Sequence, residues 1–123
     1  MGIKVITSKQ ADEIIEKWAN QSLQACFAVC FGGQAWYARW LGPIRKGQSG
    51  RWIQTTKHTT NTICTALYEE IVLVEDEEFL GIRFRNPKSF TASDFEVSLC
   101  VWKQGNIAKV SEALLRKIFF NDR

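Results

Sequence analysis

The sequence predicts one α+β domain, spanning residues 1–123, in which a single mainly antiparallel sheet of about five or six strands carries two or three helices on one face. Three observations lead there. Alternating or β-branched runs recur between turn residues, apolar residues fall at helical spacing near both ends, and 123 residues are enough for one hydrophobic core. With 46% apolar and 24% charged residues, the chain has the composition of a folded protein and not of a disordered tail.

Taken in order, Ile3-Lys4-Val5-Ile6 reads as a short strand. Thr7 with Gln10 forms a capping-box pattern, and Ala11, Ile14, Ile15 and Trp18 then follow at helical spacing. A helix is expected over residues 8–20, with Asp12, Glu13 and Glu16 favourably placed against its N-terminal dipole. The run SLQACFAVCF (22–31) fits a helix or a strand by the spacing of its cysteines, but large residues alternate with small ones, which favours a buried strand. Gly32-Gly33 then reads as a hairpin turn into AWYARWL (35–41), where Trp36, Ala38 and Trp40 share one face and Tyr37, Arg39 and Leu41 the other.

The stretch LGPIRKGQSGRW (41–52) reads as a glycine-rich loop leading to a strand from Arg51 to about Lys57. NTICTALYEE (61–70) reads as a short helix, with Asn61 or Thr62 as cap and Ile63, Ala66, Leu67 and Glu70 at helical intervals. A hairpin is expected next, in which IVLV and FLGIRF flank the acidic EDEE. DFEVSLCVW (94–102) alternates cleanly as a strand, and Pro87 marks a loop. Asn106 caps a final helix over about residues 106–120, with Ile107, Val110, Leu114 and Ile118 as its apolar stripe and Glu112 and Arg116 as an i, i+4 pair.

Several function classes lose ground on chemistry alone. No apolar stretch approaches the roughly 18–20 residues of a membrane-spanning helix, and the N-terminal residues show no secretory pattern, so a cytoplasmic location is expected. Of Cys26, Cys30, Cys64 and Cys100, three sit among apolar residues and read as reduced core thiols; only two lie close in sequence and His58 is the sole histidine, which argues against zinc. Gly42 and Gly47 bracket four residues before Gln48-Ser49, a near match to a phosphate-binding P-loop. The lysine that reaches the phosphates is replaced by glutamine, and a β-branched segment follows where a helix N-terminus is needed. No acid-base or nucleophilic constellation stands out, so an enzyme is the less favoured reading, and no cofactor is indicated.

Charge distribution carries more information than the net charge of +3. Between Glu16 and Glu69 there is no acidic residue, while Lys17, Arg39, Arg45, Lys46, Arg51 and Lys57 fall in that interval. Cations interleaved with Trp40 and Trp52 suit a phosphate-bearing ligand, and Arg83 and Arg85, on one face of a strand, extend the same surface. The competing reading makes the tryptophans core and the cations a solvated sheet face.

The leading expectation is therefore a non-enzymatic module binding single-stranded nucleic acid or a nucleotide through Arg39, Trp40, Arg45, Lys46, Arg51, Trp52, Lys57, Arg83 and Arg85. A small protein-interaction or inhibitor module using the same surface is the alternative, and the separated acidic and basic regions add self-association as a further expectation.

Overall fold

The computed structural model describes residues 2–30, 38–87, 96–105 and 112–120. The chain forms β1 (Gly2–Ile6), α1 (Ser8–Asn20), β2 (Gln24–Cys30), β3 (Ala38–Lys46), β4 (Arg51–Thr55), β5 (Thr60–Cys64), a single 3-10 turn (Thr65–Leu67), β6 (Tyr68–Glu75), β7 (Phe79–Pro87), β8 (Glu96–Trp102) and α2 (Glu112–Phe120). The strands form one eight-stranded sheet in the order β1-β6-β7-β8-β2-β3-β4-β5, every neighbour antiparallel. The α+β architecture follows the expectation; the strand count exceeds it. No described helix is long and apolar enough to cross a membrane.

α1 starts as its sequence dictates. The Gln10 N–H donates to Thr7 Oγ1 at 3.1 Å and the Thr7 N–H donates to Gln10 Oε1 at 2.9 Å, so two otherwise unsatisfied donors are met. Ala11, Ile15 and Trp18 form its buried stripe. They pack on one face of the sheet with Phe27, Ile44, Trp52, Ile63, Ile71, Phe84 and Leu99. Strand alternation puts Cys26, Ala28, Cys30, Val72, Val74 and Cys100 on the opposite face, where Ile118 and Phe119 of α2 cover them. The two helices thus lie on opposite faces, not on one, and β8 is buried along its whole length.

The expected helix over residues 61–70 is replaced by β5, the 3-10 turn and the start of β6. Thr60, Thr62 and Ile63 are β-branched and lie opposite β4, and Asn61 sends its side-chain amide to Gln54 Oε1 at 2.9 Å instead of capping a helix. Helical spacing over so few residues is outweighed by ladder pairing. The Gly32-Gly33 turn, Trp36, Tyr37, Phe95 and residues 106–111, with Ile107 and Val110, lie outside the described residues; α2 is described from Glu112.

β3 departs most from the sequence reading, because it runs on through Gly42-Pro43 to Lys46. Its first part pairs with β2 and its last three residues pair with β4. At the change of partner the chains close in: a Cβ on Gly42 would sit 2.4 Å from the Thr55 carbonyl oxygen. That contact is the physical reason for the glycine, and it has nothing to do with phosphate.

Candidate functional site

The hairpins β3–β4 and β4–β5 have an inner and an outer side. Inward, Ile44, Trp52 and Ile63 join the α1-side core. The polar groups that turn in with them are tied to neighbouring elements. Trp52 Nε1 donates to Asp12 Oδ1 at 2.9 Å, and Thr65 Oγ1 donates to the same oxygen at 2.8 Å, so one carboxylate of α1 anchors β4 and the 3-10 turn. Gln54 Nε2 donates to the carbonyl oxygens of Ala25 and Trp40 at 2.8 and 3.1 Å. Buried polar groups need such partners, and these fix how the hairpins sit against the sheet.

Outward, the residues of opposite parity are Arg45 on β3, Arg51, Ile53 and Thr55 on β4, and Thr60 and Thr62 on β5. All are exposed except Ile53, which is half-buried. Arg45, Lys46, Gly47, Gln48, Ser49, Arg51, Ile53 and Thr62 line an open pocket of about 720 Å³ beside the β3–β4 turn. The turn is closed by the Gly47 N–H donating to the Arg51 carbonyl oxygen at 2.8 Å and the Arg51 N–H donating to that of Gln48 at 3.2 Å. Ser49 and Gly50 are both left-handed, with φ of 59° and 72°, which bends the chain back between the two arginines.

Of the residues singled out from sequence, Arg45, Lys46 and Arg51 come together at this pocket. Lys57 is exposed on the Thr56–Thr59 turn, at the far end of β4, with His58 beside it. Trp40 is half-buried, its ring tilted 48° against Phe27 with centroids 6.0 Å apart. Arg39 is half-buried on the face that carries Leu41 and Cys26.

Three residues lie apart from this pocket, two of them buried. Trp52 is 3% exposed, and its indole is committed to Asp12, so it offers no ring to a base. Arg83 is fully buried under α2, where Nη1 donates to the carbonyl oxygens of Phe119 and Ile118 at 2.8 and 3.3 Å. It caps the C-terminal end of the helix, whose last carbonyls have no intrahelical donor. Arg85 shares that face and is held between Glu70 Oε1 at 3.0 Å and Glu96 Oε1 at 2.8 Å. The two-arginine strand face exists, but it is turned to α2 and to carboxylates.

The acidic turn between β6 and β7 is also partly engaged. Glu75 accepts from Lys103 Nζ at 2.9 Å, and Asp76 lies 4.0 Å from Lys117 Nζ on α2. Arg45, Lys46 and Arg51, by contrast, have no ion-pair partner among the described residues, as an acid-free neighbourhood in sequence dictates. Sequence reasoning missed Thr62, Gln48 and Ser49 as pocket-lining groups; the signal for Thr62 was its alternation with the buried Ile63, which the helical reading of that segment concealed.

No protein-family model matches the chain, and a comparison with curated proteins gives no match. Among solved structures, the chain is similar to the one described as "Crystal structure of ChuX", at 13% identity and a TM-score of 0.51, covering 94% of this chain and 74% of that one. At that identity the likeness concerns the fold alone, an α+β domain built on a large antiparallel sheet.

Proposed function

We propose that the protein is a non-enzymatic binding module for a phosphate-bearing ligand, single-stranded nucleic acid or a nucleotide, held at the outer side of the β3–β4 hairpin. One observation carries this reading: Arg45, Lys46 and Arg51 line, with no acidic residue among their fellow lining residues, an open pocket of about 720 Å³ whose remaining lining includes Gln48, Ser49 and Thr62. Guanidinium groups suit phosphate by charge and by paired N–H geometry, and uncharged donors complete an oxyanion's shell. Contact is through phosphate, since the indole of Trp52 faces the core.

Titration of labelled single-stranded oligonucleotides at increasing salt tests this. Three phosphate contacts predict a slope of log K against log salt near −2, from about −0.7 per contact on single strands. Arg45→Glu with Arg51→Glu should remove most of the binding; absence of any binding at low ionic strength would sink the proposal.

A second reading, an interaction or inhibitor module for an acidic protein, is favoured by one feature: β5 is an edge strand beside the cationic face and can accept an added strand. It predicts a stable protein complex with no oligonucleotide affinity.

A further inference from the structure

The sheet face under α2 is floored by small side chains, Cys26, Ala28 and Cys30 on β2, Ser98 and Cys100 on β8, and Gly81 on β7. Within it, Cys26 and Cys100 are direct cross-strand partners in the antiparallel β2–β8 ladder. Directly opposed residues of such a ladder have Cα atoms about 4.5 or 5.5 Å apart. Both spacings fall inside the span of about 4.4–6.8 Å that a disulfide bridges without backbone movement. Cys30 lies four pairs along, opposite Glu96, and Cys64 is on the distant strand β5, so the geometry selects one pair out of the four cysteines.

We propose that Cys26 and Cys100 form a latent redox pair that closes to a cross-strand disulfide when a small disulfide oxidant reaches the space beneath α2. Cys26 is the attacking sulfur. It lies beside Arg39, whose charge favours the thiolate, although burial pushes its thiol up to about 12; Cys100, which has no such cation among its causes, is also pushed up, by burial and by Cys26 itself. In the first step the Cys26 thiolate bonds to one sulfur of the oxidant and one oxidant thiolate leaves. The Cys100 thiolate then attacks the Cys26 sulfur of that mixed disulfide and releases the second. The protein loses two thiol protons and two electrons, and the oxidant becomes two thiols. Burial makes the reaction slow and places its control in α2, whose Ile118 and Phe119 cover the pair.

The folded Cys64→Ser variant, treated with oxidised glutathione, gives the test, because it removes the one cysteine outside the buried floor. Intact mass under non-reducing conditions should fall by two hydrogens, peptide mapping should join the Cys26 and Cys100 peptides, and dithiothreitol should reverse both. Cys64→Ser/Cys100→Ser should form no intramolecular disulfide. The same mapping on the unsubstituted chain decides the matter if a variant fails to fold. Persistence of three free thiols, under conditions where the urea-unfolded variant becomes oxidised, overturns the proposal, as does a Cys26–Cys30 link.

Discussion

Replacing Gly42 by alanine should destabilise the protein far more than replacing Gly47, although the two glycines hold equivalent places in the P-loop-like spacing. The added methyl at residue 42 would lie 2.4 Å from the Thr55 carbonyl oxygen and 3.1 Å from its carbonyl carbon, both backbone atoms. Real Cβ atoms essentially never come within 3.0 Å of such a neighbour, so β4 would have to retreat by more than half an ångström. Its position is held by Gln54 reaching Ala25 and Trp40 and by Trp52 reaching Asp12, and the strain is therefore shared with the core. Overpacking of this kind costs about 1–3 kcal/mol. At residue 47 the nearest atom, at 2.6 Å, is the Cδ1 end of the Ile53 side chain, which rotates away into open space, so a loss below about 1 kcal/mol is expected. Urea unfolding followed by tryptophan fluorescence reports both as shifts in midpoint at constant slope. Equal midpoints for the two variants would refute the steric argument and the partner change in β3 on which it rests.

Three further outcomes follow from the interior. Arg83→Ala leaves the Ile118 and Phe119 carbonyl oxygens without that donor and opens a cavity, which should cost on the order of 3–5 kcal/mol, and hydrogen exchange should show α2 losing protection first; unchanged α2 protection would contradict the capping role. Trp52→Phe keeps the ring's volume in part but removes the donor to Asp12, with an expected loss of about 1.5–3 kcal/mol in urea unfolding, and no loss would mean the bond is idle. Stability should also fall with rising pH. Burial raises the Cys26 and Tyr68 groups from 9.0 and 10.0 to about 12, so each stays protonated in the fold while the unfolded chain releases its proton. The unfolded state then binds fewer protons, and stability is full below about pH 9 and declines toward pH 12, by up to about 1.4 kcal/mol per pH unit for the buried Cys26 and by less for the half-buried Tyr68, which solvent screens. A flat urea midpoint over that range would exclude it.

The elements legible in sequence are those whose local signals agree with each other. α1 has a capping box, a clean apolar stripe and the bounds its residues announce. β8 alternates along its length, and β6 and β7 flank an acidic turn as expected. The segment over residues 60–70 was illegible because its helical spacing and its β-branched content disagree, and the decision lies with β4, a partner distant in the reading of either signal. Arg83 was misplaced for a similar reason. Alternation located it correctly opposite Ile82 and Phe84, but nothing local reveals that this face is the floor of α2 and that the cation meets a helix end there.

The same ambiguity of side decides what the cationic hairpin can recognise. Alternation separates Trp52 from Arg51 and Ile53 without saying which of them faces out; Asp12, forty residues earlier on α1, settles it by drawing the indole inward. With Trp52 buried and Trp40 against Phe27, no described aromatic ring lies on the outer side of β3–β5 beside the three cations. A stacking platform distinguishes bases by their ring faces, whereas a site of guanidinium, ammonium, amide and hydroxyl groups sees only the phosphates. Oligo-dT and oligo-dA of equal length should therefore bind the protein within about threefold of each other, with salt slopes that match. Inorganic polyphosphate should compete with both. A tenfold preference for one base, persisting when Arg45 and Arg51 are replaced, would require a contact that this face does not contain, and would move the ligand to another part of the molecule.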